Sequence, residues 1–176
     1  MGFHPRAVNE VLNMCVTDIV KLSPEEIALY ESYMREAINE AVLCAESEDV
    51  PVGAVVVYEN KIIGRGRNGR EKLQSPLWHA EMAACEEAAK YLGRWNLAGA
   101  SLIVTKEPCV MCAGLIVQSR LSECVFAVTD TKGGGCGGNM QIAHNPALNH
   151  RARLICGALE SECLELIRDF FKKKRK

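Results

Sequence analysis

The chain has almost no net charge, no long apolar stretch, and only one pair of cysteines at a spacing with chemical meaning. A formal net charge of -1 over 176 residues argues against a protein that coats nucleic acid indiscriminately. Apolar runs such as "AVVV" at 54–57 fall far short of the roughly 20 residues of a membrane span, so no membrane association is expected. In the first twenty residues Asn9, Glu10, Asn13 and Asp18 interrupt any apolar block, which is not the pattern of a secretory signal. The nine cysteines are an odd number in a chain too long to need disulfide staples. Cys44, Cys124, Cys156 and Cys163 sit singly among apolar neighbours and read as small core residues of a reducing compartment, so a cytoplasmic location is expected.

What is present suits a folded soluble domain. Hydrophobic residues are 48% and charged residues 24%, and the length suits one globular unit. Residues 1–22 have weak periodicity and are taken as an N-terminal extension of unknown role, with the domain proper expected over 23–176. Charge is uneven along the chain. Residues 1–50 carry three Lys or Arg against ten Asp or Glu, whereas 143–176 carry eight against four. The terminal "FKKKRK" reads either as a solvated tail or as a place for phosphates.

Ser23, Pro24 and Glu26 form a capping box with proline at the first helical position, and apolar residues then recur at helical spacing to about residue 46. A β-branched run at 52–57, a polar Glu59-Asn60 turn and a second short run predict a β-hairpin. His79 opens a helix that reaches about Leu92 and stops at Gly93. "SLIVT" and "CVFAV" predict buried strands on either side of an apolar helix from Cys109. "KGGGCGGN" predicts a flexible loop, "RLICGAL" a fifth strand, and "ESECLELIRDFFKKK" a closing amphipathic helix. This order implies an α/β fold of three layers, α-β-α, with helices on both faces of a mixed five-stranded sheet.

Two thiols three residues apart, Cys109 and Cys112, near a helix start can turn toward one ion, and the positive end of the helix favours their thiolates. A redox pair and two core cysteines are the rival readings. His79, also at a helix start after a proline-containing loop, would complete a three-ligand zinc set if the two helices lie side by side. A structural zinc normally has four protein ligands, so Cys85, Cys136, His144 and His150 remain rivals for a fourth. Cys85 is nearly two turns from His79, and Cys136 is the more serious. Glu81, two residues after His79, points to a different side of the helix, where it can reach a metal-activated water or simply face solvent.

"HAE" at 79–81 followed by "PCVMC" at 108–112 resembles the signature of the zinc nucleoside and nucleobase deaminases, which implies a cytidine deaminase-like fold and hydrolytic deamination. With "VPVGAVVV", "GRGRN", "EPCVMCAGLIVQSR", "NHRARL" and "DFFKKKR", the chain is more closely similar to the bacterial tRNA-specific adenosine deaminases. That resemblance implies Zn2+ held by His79, Cys109 and Cys112, with Glu81 as general acid and base. It also implies Asn68 against the target nucleoside, Glu107 fixing the loop, a tRNA anticodon stem-loop as partner, and a homodimer. Trp78 and Lys106 depart from the family pattern, and Trp78 is expected to reshape the pocket. Deamination of a free base such as guanine or cytosine, and a zinc-stabilised binding module without catalysis, stay open as alternatives.

Overall fold

The computed structural model describes residues 16–175. Its centre is a mixed six-stranded sheet with the order β1-β6-β5-β4-β2-β3. The strands are β1 (Val16–Asp18), β2 (Gly53–Tyr58), β3 (Lys61–Arg67), β4 (Ser101–Lys106), β5 (Glu123–Val128) and β6 (Arg153–Cys156). β1, β6, β5 and β4 run parallel to one another, while β2 is antiparallel to both β4 and β3. The helices are α1 (Pro24–Val42), a single short turn α2 (Arg70–Leu73), α3 (Ala80–Leu92), α4 (Val110–Gln118) and α5 (Glu160–Lys174).

The local signals act as the sequence implies. Ser23 Oγ accepts from the Glu26 N–H at 3.2 Å, and the Glu26 carboxylate accepts from the Ser23 N–H at 3.2 Å, closing the capping box at the start of α1. Helix α1 stops at Val42, and the expected last turn is a 3₁₀ segment, Leu43–Glu46. Glu59 and Asn60 both adopt positive φ, which lets a two-residue turn follow the twist of the β2–β3 hairpin. Gly93, at φ 65°, ends α3 in the left-handed conformation.

Alternation along the strands builds two cores. Ala54, Val56, Leu102, Val104 and Phe126 face α3 and α4 with Ala84, Ala88 and Ile116, whereas Val55, Ile103, Val125 and Ile155 face the other way toward Tyr30, Met34 and Cys163. The two glycines of "GRGRN" explain how closely α3 sits: a Cβ on Gly64 or Gly66 would collide with the carbonyl oxygen of Ala84 or Ala80. Bare backbone at those two positions fixes where the first turn of α3 lies.

The sheet has six strands, not the expected five. The additional edge strand, β1, pairs Val16, Thr17 and Asp18 in parallel with Leu154, Ile155 and Cys156. Three residues are too few to show a period, and this strand comes from the segment set aside as an extension. Immediately after it, Asp18 accepts from the Val20 N–H at 3.1 Å and buries Ile19. Helices α1 and α5 cover one face and α3 and α4 the other, so the three-layer α/β expectation holds.

Candidate metal centre and substrate cavity

Helices α3 and α4 both begin with extended residues, His79 at φ -87°, ψ 154° and Cys109 at φ -68°, ψ 176°. They pack on the same sheet face, so their first turns meet. His79 Nδ1 lies 3.6 Å from Cys109 Sγ and 3.6 Å from Cys112 Sγ, and the three ligand atoms all fall within 4.8 Å of one another. Among the described residues this is the only group of three or more such side chains close enough to share an ion.

The donor set fits a zinc ion chemically. Cys109 is held low, at about 3, first by its hydrogen bond with Cys112 and, against the opposing effect of burial, by His79. Cys112 is pushed up in turn, first by that same bond to Cys109 and then by burial. One thiolate thus opposes the formation of the next, and a cation among the two sulfurs and the imidazole would relieve that opposition.

The rivals for a fourth ligand lie elsewhere. Cys136 is fully buried, facing Cys124 in the core. Cys85 is buried on the inner face of α3, where desolvation pushes its thiol up. His144 Nδ1 is 2.8 Å from the Ala152 carbonyl, and His150 Nε2 is 2.6 Å from that of Leu121.

His79 and Cys109 border a cavity of about 260 Å³ whose lining also includes Glu81, Asn68, Arg70 and Phe171. That is a little below the roughly 300–1,000 Å³ of pockets for drug-sized ligands, and it suits one ring system. Glu81 is only 4% exposed, and burial is the first cause that raises its pKa above the usual carboxylate range. A carboxylate whose charge is disfavoured in this way is a ready proton acceptor. Asn68 is set by two bonds: its N–H donates to the Val52 carbonyl at 2.9 Å and its Nδ2 to the Val50 carbonyl at 3.0 Å. With the amide nitrogen so engaged, the side-chain oxygen is left as an acceptor for a ligand N–H or O–H.

Three sequence readings change. The glycine run is a packed turn rather than a flexible loop, and Glu107 is the reason. This carboxylate, 2% exposed, accepts from the N–H groups of Asp130 at 2.7 Å, Cys136 at 3.0 Å and Gly138 at 2.8 Å. A Cβ on Gly134 or Gly138 would collide with it. The same turn clasps the ligand loop, because the Gly135 N–H donates to the Pro108 carbonyl at 2.8 Å and Gly134 bridges to Cys109. Trp78 does not border the cavity. It packs against Gly69 and lines a separate apolar groove of about 510 Å³ with Leu77, Met82, Trp95 and Leu115. The reading of the sequence missed Arg70 and Ile167, which also line the cavity, because each lies in an ordinary polar or amphipathic context.

The comparisons with known proteins agree with this geometry. A family model described as the cytidine and deoxycytidylate deaminase zinc-binding region matches residues 27–128. The chain is 47% identical over 146 residues to the tRNA-specific adenosine deaminase of Bacillus subtilis (strain 168), covering 83% of this chain and 91% of that one. A solved structure reported under A-to-I editing by tRNA:A34 deaminases at the wobble position of transfer RNA is similar with a TM-score of 0.74. It is 35% identical, covering 77% of this chain and 98% of that one. A guanine deaminase from Bacillus subtilis is similar over less, with a TM-score of 0.53, 32% identity, and 56% and 63% of the two chains covered.

Proposed function

The chain belongs to the cytidine and deoxycytidylate deaminase zinc-binding family, and from that premise we propose that it converts adenosine to inosine at the wobble position of a tRNA anticodon. His79, Cys109 and Cys112 hold Zn2+, Glu81 is the general acid and base, and Asn68 binds the target nucleoside. The observation that carries the RNA reading is that the metal-side cavity is bordered by Ile167 and Phe171 of α5, the helix that ends in Lys172, Lys173 and Lys174. Chemistry and basic helix therefore share one opening.

Zn2+ held by His79, Cys109 and Cys112 would supply Lewis acidity of the kind that lowers the pKa of water from about 15.7 to around 7. Glu81 takes the first proton from the attacking water and passes it to the ring nitrogen as the oxygen bonds to C6, then carries the second proton from the new C6 hydroxyl to the amine as the C6–N bond breaks and the carbonyl forms. Water and adenosine thus give inosine and ammonia. Asn68 orients the nucleoside through its side-chain oxygen. Anticodon bases are already unpaired, so presenting one to the cavity costs less than the few kcal/mol of extruding a base from a duplex.

The second copy of a homodimer docks on the groove between α3 and α4, where Leu77, Trp78 and Trp95 are 57%, 41% and 67% exposed. The editing is assigned to the cytoplasm, a reading supported by the free thiols of all eight described cysteines.

The test is to mix zinc-loaded protein with an adenosine-34 anticodon stem-loop and, separately, with free guanine and cytosine, following ammonia and inosine. Inosine from the stem-loop alone is expected. Ammonia from a free base, with the stem-loop untouched, would establish the free-base reading instead.

A further inference from the structure

Two cations border the cavity, Arg70 and Lys106, and they are in different states. Lys106 is engaged in an ion pair with Asp130. Arg70 is exposed and, among the described residues, has no carboxylate within ion-pair distance. Its backbone is nevertheless firmly placed. Asp49 is fully buried, and its two carboxylate oxygens accept from the N–H of Glu71 at 2.7 Å and of Lys72 at 3.2 Å. The turn is closed on its other sides by Leu73 N–H to the Gly69 carbonyl at 2.9 Å, Ser75 N–H to the Arg70 carbonyl at 3.1 Å, and Gly69 N–H to the Trp78 carbonyl at 3.1 Å.

A buried carboxylate spent on an exposed four-residue turn is a costly way to hold a surface loop unless the loop carries something that must be placed. What it carries is a guanidinium at the mouth of a cavity sized for one base. A base seated against Glu81 puts its ribose and the linkages on either side of it at that mouth. The planar fork of an arginine matches a phosphate in two parallel hydrogen bonds.

We propose that Arg70, positioned by Asp49, grips a phosphodiester next to the nucleotide being deaminated, so that the cavity selects a nucleotide within a strand over a free base. Arg70 is a binding residue and Asp49 a positioning residue. The proposal rests on the RNA reading above.

The experiment is a kinetic cycle on the zinc-loaded protein, with metal content measured throughout. One substrate is the anticodon stem-loop, and the other is the same stem-loop with neutral methylphosphonates at the two linkages flanking the target adenosine. Arg70→Gln is expected to raise KM for the natural stem-loop about tenfold or more, as for loss of a charge-assisted hydrogen bond, with a much smaller change in kcat. Methylphosphonate should raise the wild-type KM by a similar factor and scarcely alter that of Arg70→Gln. Equal factors in wild type and variant, or an Arg70→Gln KM like that of wild type, would overturn the assignment.

Asp49→Asn should give the same pattern with metal content kept, and Glu71→Pro, which removes one of the N–H groups that Asp49 accepts, provides a second variant from the exposed side. A wild-type KM in either folded variant overturns the positioning role. If the wild type forms no inosine from either stem-loop, the RNA reading itself fails and this proposal falls with it. Inosine without the Arg70 effect removes this proposal alone.

Discussion

Glu81 and Glu107 are both buried, both border the same cavity, and both stand beside the helix starts that bring His79, Cys109 and Cys112 together. Three backbone N–H groups surround Glu107, and the glycines at 134 and 138 leave room for nothing larger than its carboxylate. Glu81 has no such cage. Among the described residues no backbone N–H of another residue donates to it, and burial raises its pKa. The contrast separates two uses of a buried charge. A carboxylate that accepts three backbone N–H bonds holds chain segments together and has its charge stabilised by them, whereas a sparsely bonded one is held in a state in which accepting a proton is favourable.

The largest effect on this contrast comes from removing what both carboxylates serve. Cys109→Ala is expected to eliminate bound zinc, read by metal analysis, and with it all inosine formation above background. Retained zinc at one ion per chain would show that the ligand set is not the one assigned.

Next comes Glu81, the proposed general acid and base. Glu81→Gln should cut turnover by about 10²–10⁴ or more while zinc content and Tm stay at wild-type values. Simultaneous loss of metal would place Glu81 among the ligands and erase the distinction from Glu107.

Glu107→Ala probes the structural side. It strips a partner from three N–H groups, at about 1–3 kcal/mol for each donor left unsatisfied, and a clear fall in Tm is the expected reading. An unchanged Tm with abolished turnover would reverse the comparison, making Glu107 the chemical group.

The smallest effect is expected at the basic end of α5. Changing Lys172, Lys173 and Lys174 together to Gln should flatten the dependence of log K for stem-loop binding on log salt by about 0.7 per lost phosphate contact to single-stranded RNA. Zinc content and Tm should not move. An identical salt slope would assign the three lysines to a solvated helix end.

Much of the site is legible in the chain because its signals are local. "HAE" and "PCVMC" each follow a loop and open a helix, and a helix start exposes the same kind of geometry wherever it occurs. The spacing of Cys85 from His79 already argues against a shared ion. Cys136 was different: nothing in "GGGCGG" tells whether its thiol faces the metal or the core, and only the packed turn around Glu107 sends it toward Cys124. Asp49 is hidden in an acidic stretch beside Glu46 and Glu48, and its partners are backbone groups more than twenty residues away. Strand β1 is three residues long, too short for any period to show.

Residue type and near-neighbour spacing alone marked His79, Cys109 and Cys112 as candidate zinc ligands, Glu81 as a candidate proton carrier beside them, and the order of the longer strands and helices, since a helix turn fixes what lies two, three or four residues away. Tertiary structure decided which carboxylate is caged and which is open, that the groove holding Trp78 is separate from the cavity, and that a buried aspartate sets the Arg70 turn. Those outcomes depend on contacts between segments distant in the chain, and burial and hydrogen-bond satisfaction are properties of the packed molecule that no local pattern carries.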